Sequence, residues 1–401
     1  MYPLHLTAFT ATSALGAGLA PTLAALEANR SGLAPCAFET VDLPAYVGEV
    51  AGLDDVTLPA ALADYDCRNN RLALLALQQD GFADAVRGAV MRYGAERVGV
   101  FLGTSTSGIL ETELAYRRLD ESGAFIAPPS YRGSHTPQAV ADVVARSLGL
   151  GGPAFVVLTA CSSGAKVFAS AARLIGAGMI DAAVVGGVDS LCLTTLYGFN
   201  SLELVSPEPC RPYDVARCGI SIGEAGAFAL LERPAQDLPG DAVLLAGVGE
   251  ASDAYHMSSP PPDGHGAFAA MQAALQRAGL MPSQVDYLNL HGTATPSNDA
   301  AEGQAVMQLF GRSVPASSTK GATGHTLGAA GALETVIAAL ALQHGLIPGS
   351  PGSRELDPAL DLDYVFVPRH QALGVVMSNS FGFGGSNASV VLRRADARMD
   401  A

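Results

Sequence analysis

With 401 residues, 49% of them hydrophobic and only 15% charged, the chain has ample apolar material for a large folded body and too little polarity for a disordered one. A net charge of -15, no Trp and an aromatic content of 6% exclude a nucleic-acid binder, because the polyphosphate would be repelled and the bases would find no stacking platform. Any acidic partner would need a local cluster of basic residues.

The opening Met1-Tyr2-Pro3-Leu4-His5 has no Lys or Arg ahead of its apolar stretch, so no secretory leader is expected. Apolar runs at 98–102, 154–158, 182–185, 242–248 and 375–377 alternate with Ala-rich helical patterns and predict a layered α/β fold. These runs are continuous rather than alternating, as strands covered on both faces must be, so helices are expected outside and between two sheets. The stretches 156–180 and 314–340 share a layout of short strand, Gly- and Ser/Thr-rich turn and Ala-rich helix. That layout reads as an internal duplication with its midpoint near Pro239-Gly240. The proline-rich stretch 258–266 is expected to be an irregular loop over a site or at an edge. No membrane span is expected: the most apolar segment, 328–342, is interrupted by Glu334. A cytoplasmic protein is the default expectation.

Six cysteines, Cys36, Cys67, Cys161, Cys192, Cys210 and Cys218, show no paired spacing and no neighbouring His pattern, which argues against zinc and for reduced thiols. Cys161 is set apart by its surroundings, Thr159-Ala160-Cys161-Ser162-Ser163-Gly164, between a strand and a helix pattern. A thiol there meets the unpaired N–H groups and positive dipole end of a helix, which is expected to favour thiolate and make an acyl acceptor. The bland alternative is a buried structural Cys. Two histidines follow strand-like runs in the same way, His291 in His291-Gly292-Thr293-Ala294-Thr295-Pro296 and His325 in Ser318-Thr319-Lys320-Gly321-Ala322-Thr323-Gly324-His325. The C-terminal ends of strands are where α/β sheets assemble their sites. His5, His135, His265, His344 and His370 lack that context and are read as core or surface residues.

These three stretches together resemble the β-ketoacyl-[acyl-carrier-protein] synthases of the type I/II class, within the thiolase superfamily. The resemblance extends through Arg211-Pro212-Tyr213-Asp214, Gly223-Glu224-Ala225-Gly226, Ser252-Asp253-Ala254-Tyr255-His256-Met257 and the tail Asn379-Ser380-Phe381-Gly382-Phe383-Gly384-Gly385-Ser386-Asn387. It implies a thiolase-like five-layered α-β-α-β-α fold built from two similar halves. The first, 1–240, would carry the nucleophile and the second, 241–401, both catalytic histidines. It also implies a decarboxylating condensation in which Cys161 takes an acyl chain and malonyl-carrier supplies the attacking enolate. No cofactor of its own is implied, because phosphopantetheine arrives on the acyl carrier protein.

The resemblance also assigns roles. Neutral His291 and His325 would donate from Nε2 to the enolate oxygen. Lys320 would hold the field positive and pair with Glu334, the alternative being a surface lysine. The backbone N–H groups of Cys161 and Phe383 would form an oxyanion hole, and Phe383 would gate the acyl pocket. Thr293, Thr295 and Ser258 would either bond the pantetheine amides or only local backbone. Arg68 and Arg71 would meet an acidic carrier, or else lie on an ordinary solvated helix face. Thr106 and Phe199 would shape the acyl tunnel, whose hydroxyl-rich stretch Gly103-Thr104-Ser105-Thr106-Ser107-Gly108 suggests unsaturated or aryl-capped chains, as in aryl polyene enzymes. Cys218 and Ile220 depart from the usual Asp and Phe. A homodimer is expected, with a heterodimer with a related ketosynthase or chain-length factor as the alternative. Two further readings are a nucleophile-free chain-length-factor scaffold, which the presence of Cys161 opposes, and an acyl-CoA thiolase. A thiolase needs a second cysteine near the C-terminus, and none occurs after Cys218.

Overall fold

A computed structural model describes residues 2–397; Met1, part of the start examined for a leader, lies outside them. Five strands of the first half are β1 (Leu4–Ser13), β2 (Val98–Gly103), β3 (Ala154–Val157), β4 (Ala182–Asp189) and β5 (Ala225–Glu232). Five of the second are β6 (Val243–Ser252), β7 (Tyr287–Asn289), β8 (Pro315–Ser317), β9 (Val375–Gly382) and β10 (Ser386–Arg394). The first set is ordered β3-β2-β4-β5-β1 and the second β8-β7-β9-β10-β6. Each strand therefore has a counterpart five places on in the same position. The directions match as well: β3, β2 and β4 run parallel with β5 and β1 antiparallel, and β8, β7 and β9 run parallel with β10 and β6 antiparallel. The two sheets expected from sequence join edge to edge, because β1 pairs with β6 at Leu4↔Leu245 and His5↔Leu244.

Helices α1 (Arg68–Leu77), α2 (Phe82–Tyr93) and α3 (Gln138–Leu148) cover the outer face of the first set. Helices α5 (His265–Ala278) and α6 (Pro296–Phe310) belong to the outer face of the second, and α4 (Ser163–Gly176) and α7 (Ala330–His344) pack on each other between them. Strand side chains divide by alternation: Val98, Val100 and Leu102 of β2 join the outer core with Val86 and Val144, whereas Phe101 joins the central core with Phe168 and Leu333. A third core holds Met271, Leu288, Val306 and Val391. The continuous apolar runs thus belong to strands with protein on both faces.

Burial on every side also explains the composition of α7. All its residues from Ala330 to Leu342 are buried, so no polar face is needed. The stretch Leu327–His344 is long and apolar enough to cross a membrane, yet 89% of it is buried inside the protein, which makes it the central helix of a core. The two central helices meet at glycine. A Cβ on Gly164 would lie 2.7 Å from the Gly328 oxygen and 2.8 Å from the Ala332 nitrogen, and one on Gly331 would lie 2.6 Å from the Ala165 nitrogen. Gly331→Ala is expected to cost about 1–3 kcal/mol through overpacking and to lower the thermal denaturation midpoint. An unchanged midpoint would show that the helices can separate freely.

Candidate active site

Cys161 and His325 occupy equivalent points of the two repeats. Thr159-Ala160-Cys161-Ser162-Ser163-Gly164 leads from β3 into α4, and Thr323-Gly324-His325-Thr326-Leu327-Gly328 leads from β8 towards α7. The residue before each is left-handed, Ala160 at φ 51° and Gly324 at φ 73°. Ala160 pays the steric penalty of that conformation, which turns the chain sharply and sets the cysteine at the helix start. Because the helices touch through Gly164, Gly328 and Gly331, His325 Nε2 comes to 3.0 Å from Cys161 Sγ.

His291 enters from the end of β7. Its ring stands edge-on to that of His325, with centroids 5.3 Å apart, and is backed by Phe381 at 5.9 Å. One donor atom from each of Cys161, His291 and His325 lies within 4.8 Å of the others, and all three residues are buried. Lys320 lies beneath them at 1% exposure. It donates to the His291 carbonyl at 2.5 Å, faces His291 Nδ1 at 3.4 Å and pairs with the equally buried Glu334 of α7. With an ammonium against Nδ1, the neutral His291 ring carries its proton on Nε2, towards the cysteine side.

Burial holds both imidazoles well below their ordinary pKa, and the Lys320 cation adds to the effect; for His291 the neighbouring His325 contributes too. Both rings are therefore uncharged at neutral pH. Burial raises the Glu334 carboxyl while the Lys320 charge opposes it. The thiol departs from the sequence expectation. Loss of water pushes Cys161 up to about 11, and the Lys320 charge and the backbone N–H groups of Phe383 and Cys161 only partly offset it. Desolvation outweighs the helix start, so the resting sulfur is a thiol and not a thiolate. The same two N–H groups converge on the sulfur from opposite segments.

A cleft of about 630 Å³ opens onto these groups and is lined by Phe199, Ser258, Thr293, Thr295 and Phe383 among others. Phe199 and Phe383 face each other with ring centroids 5.7 Å apart. Thr293 and Thr295 share a hydroxyl–hydroxyl bond at 2.9 Å while lining the cleft. Thr106 is not at the cleft: fully buried, it donates its hydroxyl to Asp189 at 2.9 Å. The two arginines expected to meet a carrier do not form a free basic patch. Arg68 is 6% exposed, forked onto Glu224 at 2.6 and 2.9 Å, also bonded to Asp54 and Glu49, and stacked on Phe38. Arg71 makes a two-point bond to Asp66, 2.7 Å at each contact. A guanidinium at the N-terminus of α1 has the local pattern of a surface charge, but its acidic partners come from distant segments that local sequence does not reveal.

Two positioning carboxylates escaped the sequence reading. Glu302 accepts the backbone N–H groups of His291 and Gly292, each at 2.8 Å, and the Asn379 amide at 3.1 Å, fixing the histidine loop; burial raises it to about 7. Asp189, at the end of β4, accepts from Ser105 N–H, Thr106 N–H and the hydroxyls of Thr104 and Thr106 through one oxygen and from Gly328 N–H through the other. The available signal for Glu302 was its position: together with Asp299 it lies on a helix face otherwise made of Ala301, Ala305 and Val306, where a bare carboxylate would not be tolerated.

A layered, duplicated α/β fold with a Cys-His-His cluster at the starts of its central helices defines a condensing enzyme of the thiolase type. Residues 71–237 match the model of the beta-ketoacyl synthase N-terminal domain and 242–353 that of the C-terminal domain. The chain is 33% identical over 410 residues to 3-oxoacyl-[acyl-carrier-protein] synthase 2 of Coxiella burnetii, covering 97% of this chain and 98% of that protein. It is 37% identical over 354 residues to nodulation protein E of Rhizobium meliloti, covering 86% and 84%. It also superposes on one chain of the solved complex of a ketosynthase (ApeO) with its chain length factor (ApeC) from Xenorhabdus doucetiae, with a TM-score of 0.89, 38% identity and 98% coverage of each chain. The chain belongs to the beta-ketoacyl synthase family and is a condensing acyltransferase.

The charges facing the sulfur, Lys320 and Asp189, with neutral His291 and His325, predict its titration. Alkylation of the Cys161 peptide by iodoacetamide, followed by mass spectrometry, should still be accelerating at about pH 9. Lys320→Met should move the curve higher still, since it removes the cation that favours thiolate. A plateau at neutral pH would contradict the burial argument.

Proposed function

We propose that Cys161 is the acyl-accepting nucleophile of a decarboxylative Claisen condensation that turns acyl-Cys161 and malonyl-carrier into β-ketoacyl-carrier and CO₂. The observation that carries this reading is the 3.0 Å contact between His325 Nε2 and Cys161 Sγ beside an uncharged His291 whose other nitrogen is occupied by Lys320. In the acylation half, the thiol proton passes to His325 Nε2 as sulfur attacks the incoming thioester. The departing pantetheine sulfur then takes that proton. In the condensation half, the malonyl C–C bond breaks, CO₂ leaves, and its electron pair becomes an enolate whose oxygen is held by the Nε2–H of His291 and by His325, whose neutral ring, an acceptor at Nε2 during acylation, has exchanged to the tautomer that carries its proton there. Two neutral donors stabilise this charge without protonating the carbon. The enolate carbon attacks the Cys161 thioester, and the tetrahedral oxyanion is held by the N–H groups of Cys161 and Phe383 until the cysteine sulfur leaves as thiolate, which a proton taken up from solvent returns to the thiol.

Lys320, paired with Glu334, fixes the His291 proton on Nε2 and keeps both rings neutral. Thr293, Thr295 and Ser258 guide the pantetheine arm, and Phe199 with Phe383 separates it from the acyl chain. The reaction needs no free cofactor. The buried Lys320 charge that depresses both imidazoles also opposes a divalent cation at the three donor atoms, so a metal centre is the weaker reading. The carrier is an acyl carrier protein, and the likeness to a ketosynthase solved with its chain length factor supports a second, ketosynthase-like subunit over a self-paired dimer. A nucleophile-free scaffold role is opposed by the intact Cys161–His325 contact.

Incubation with acyl-carrier protein or cerulenin should give a covalent adduct by intact mass that Cys161→Ala abolishes. His291→Ala should keep the acyl adduct yet lower malonyl decarboxylation about 10²–10³-fold, the effect of losing one oxyanion donor. Absence of an adduct on the parent protein would remove the nucleophile assignment.

A further inference from the structure

The motif Ser252-Asp253-Ala254-Tyr255-His256-Met257 has no assigned part in either half-reaction, yet the gate ties it to the reacting centre. Phe383 N–H faces the Cys161 sulfur, and the next residue, Gly384, donates its N–H to the Met257 carbonyl at 2.8 Å. His256 is the neighbour of Met257 and lines the same cleft as Cys161, His291 and His325. Its ring is held by its own loop. Nδ1 receives the Ser258 N–H at 3.2 Å, and because a backbone N–H can only donate, Nδ1 is the bare nitrogen and the proton sits on Nε2. The Ser258 hydroxyl lies 3.4 Å from the same Nδ1, whereas Nε2 has no partner among the described residues.

The rest of the lining leaves that nitrogen a distinct place. Among the described residues no Lys or Arg lines the cleft. Its one carboxylate, Asp253, is 5% exposed and accepts from the Asn387 amide at 2.6 Å. The Asn298 amide is engaged with Asp299, the Thr293 and Thr295 hydroxyls with each other, and the rings of His291 and His325 with the thioester oxygen. The His256 Nε2–H is the ring N–H that remains uncommitted. Malonyl thioester differs from the acyl donor in its free carboxylate, which must be placed before the C–C bond breaks. A full cation against that group would stabilise the ground state and oppose loss of CO₂, whereas a neutral N–H recognises it with less hindrance to that step. The Ser258 N–H favours this neutral form, because a proton added at Nδ1 would face another donor. Resting on the functional reading above, we propose that His256 is a specificity residue that donates its Nε2–H to the malonyl carboxylate, so that the condensation half depends on it and the acylation half does not.

The test measures the two halves apart: acylation of Cys161 by acyl-carrier protein, followed by intact mass, and condensation of the acyl-enzyme with malonyl-carrier protein or with malonyl-N-acetylcysteamine, which lacks the phosphate of the pantetheine arm. His256→Phe should raise the KM for both malonyl substrates at least about tenfold, the effect of losing a hydrogen bond to a charged group, and change the acylation rate less than about twofold. His256→Gln, whose amide N–H can stand where Nε2–H stood, should recover most of the loss. An equal fall in acylation, or a KM that moves for malonyl-carrier and not for the truncated thioester, would assign His256 to the arm or its phosphate and overturn the proposal. Unmoved KM values, or no gain of glutamine over phenylalanine, would overturn it too. Absence of Cys161 acylation in the parent enzyme would instead count against the functional reading itself.

Discussion

The backbone contact between the two central helices is the constraint on which the site depends. Gly164, Gly328 and Gly331 leave no room for a side chain between α4 and α7, and that closeness lets a sulfur from one half meet an imidazole from the other at hydrogen-bond distance. The cores on either side of both sheets hold the helices in this register, so catalytic geometry is a by-product of how the layers stack.

Burial then sets the chemistry. It keeps the histidines uncharged, raises the cysteine thiol and requires that the one ammonium nearby have a carboxylate partner. An exposed version of the same residues would carry a partly protonated imidazole pair, which would give a proton to a carbanion. Lys320 reconciles the two halves of the reaction: its field disfavours imidazolium while favouring whatever anion forms in front of the rings.

Much of this was legible in the sequence because it is written locally. Strand runs at 98–102 and 182–185, the turn around Cys161 and the histidines after short strands all follow from neighbours within a few residues, and the resemblance joined them into one site. The Lys320–Glu334 pair came with the resemblance, and Glu334 itself stands out as the acid in an apolar helix. What failed was nonlocal. The fate of Arg68 is decided by Glu49, Asp54 and Glu224, the role of Asp189 by loops far along the chain, and the state of the Cys161 thiol by how completely water is removed from it. The duplication, weak by residue identity over long windows, becomes plain once the strand orders are compared.

Cys161 and His325 occupy matching positions in two repeats of the same strand order. Had the ancestral unit been a half-length chain pairing with itself, identical genes would have placed the same side chain on both sides of the axis, two thiols or two imidazoles but never one of each. Division of labour between nucleophile and proton carrier requires both repeats on one chain, where each copy can mutate alone. The asymmetry of the centre is thus something that only two repeats on one chain can hold.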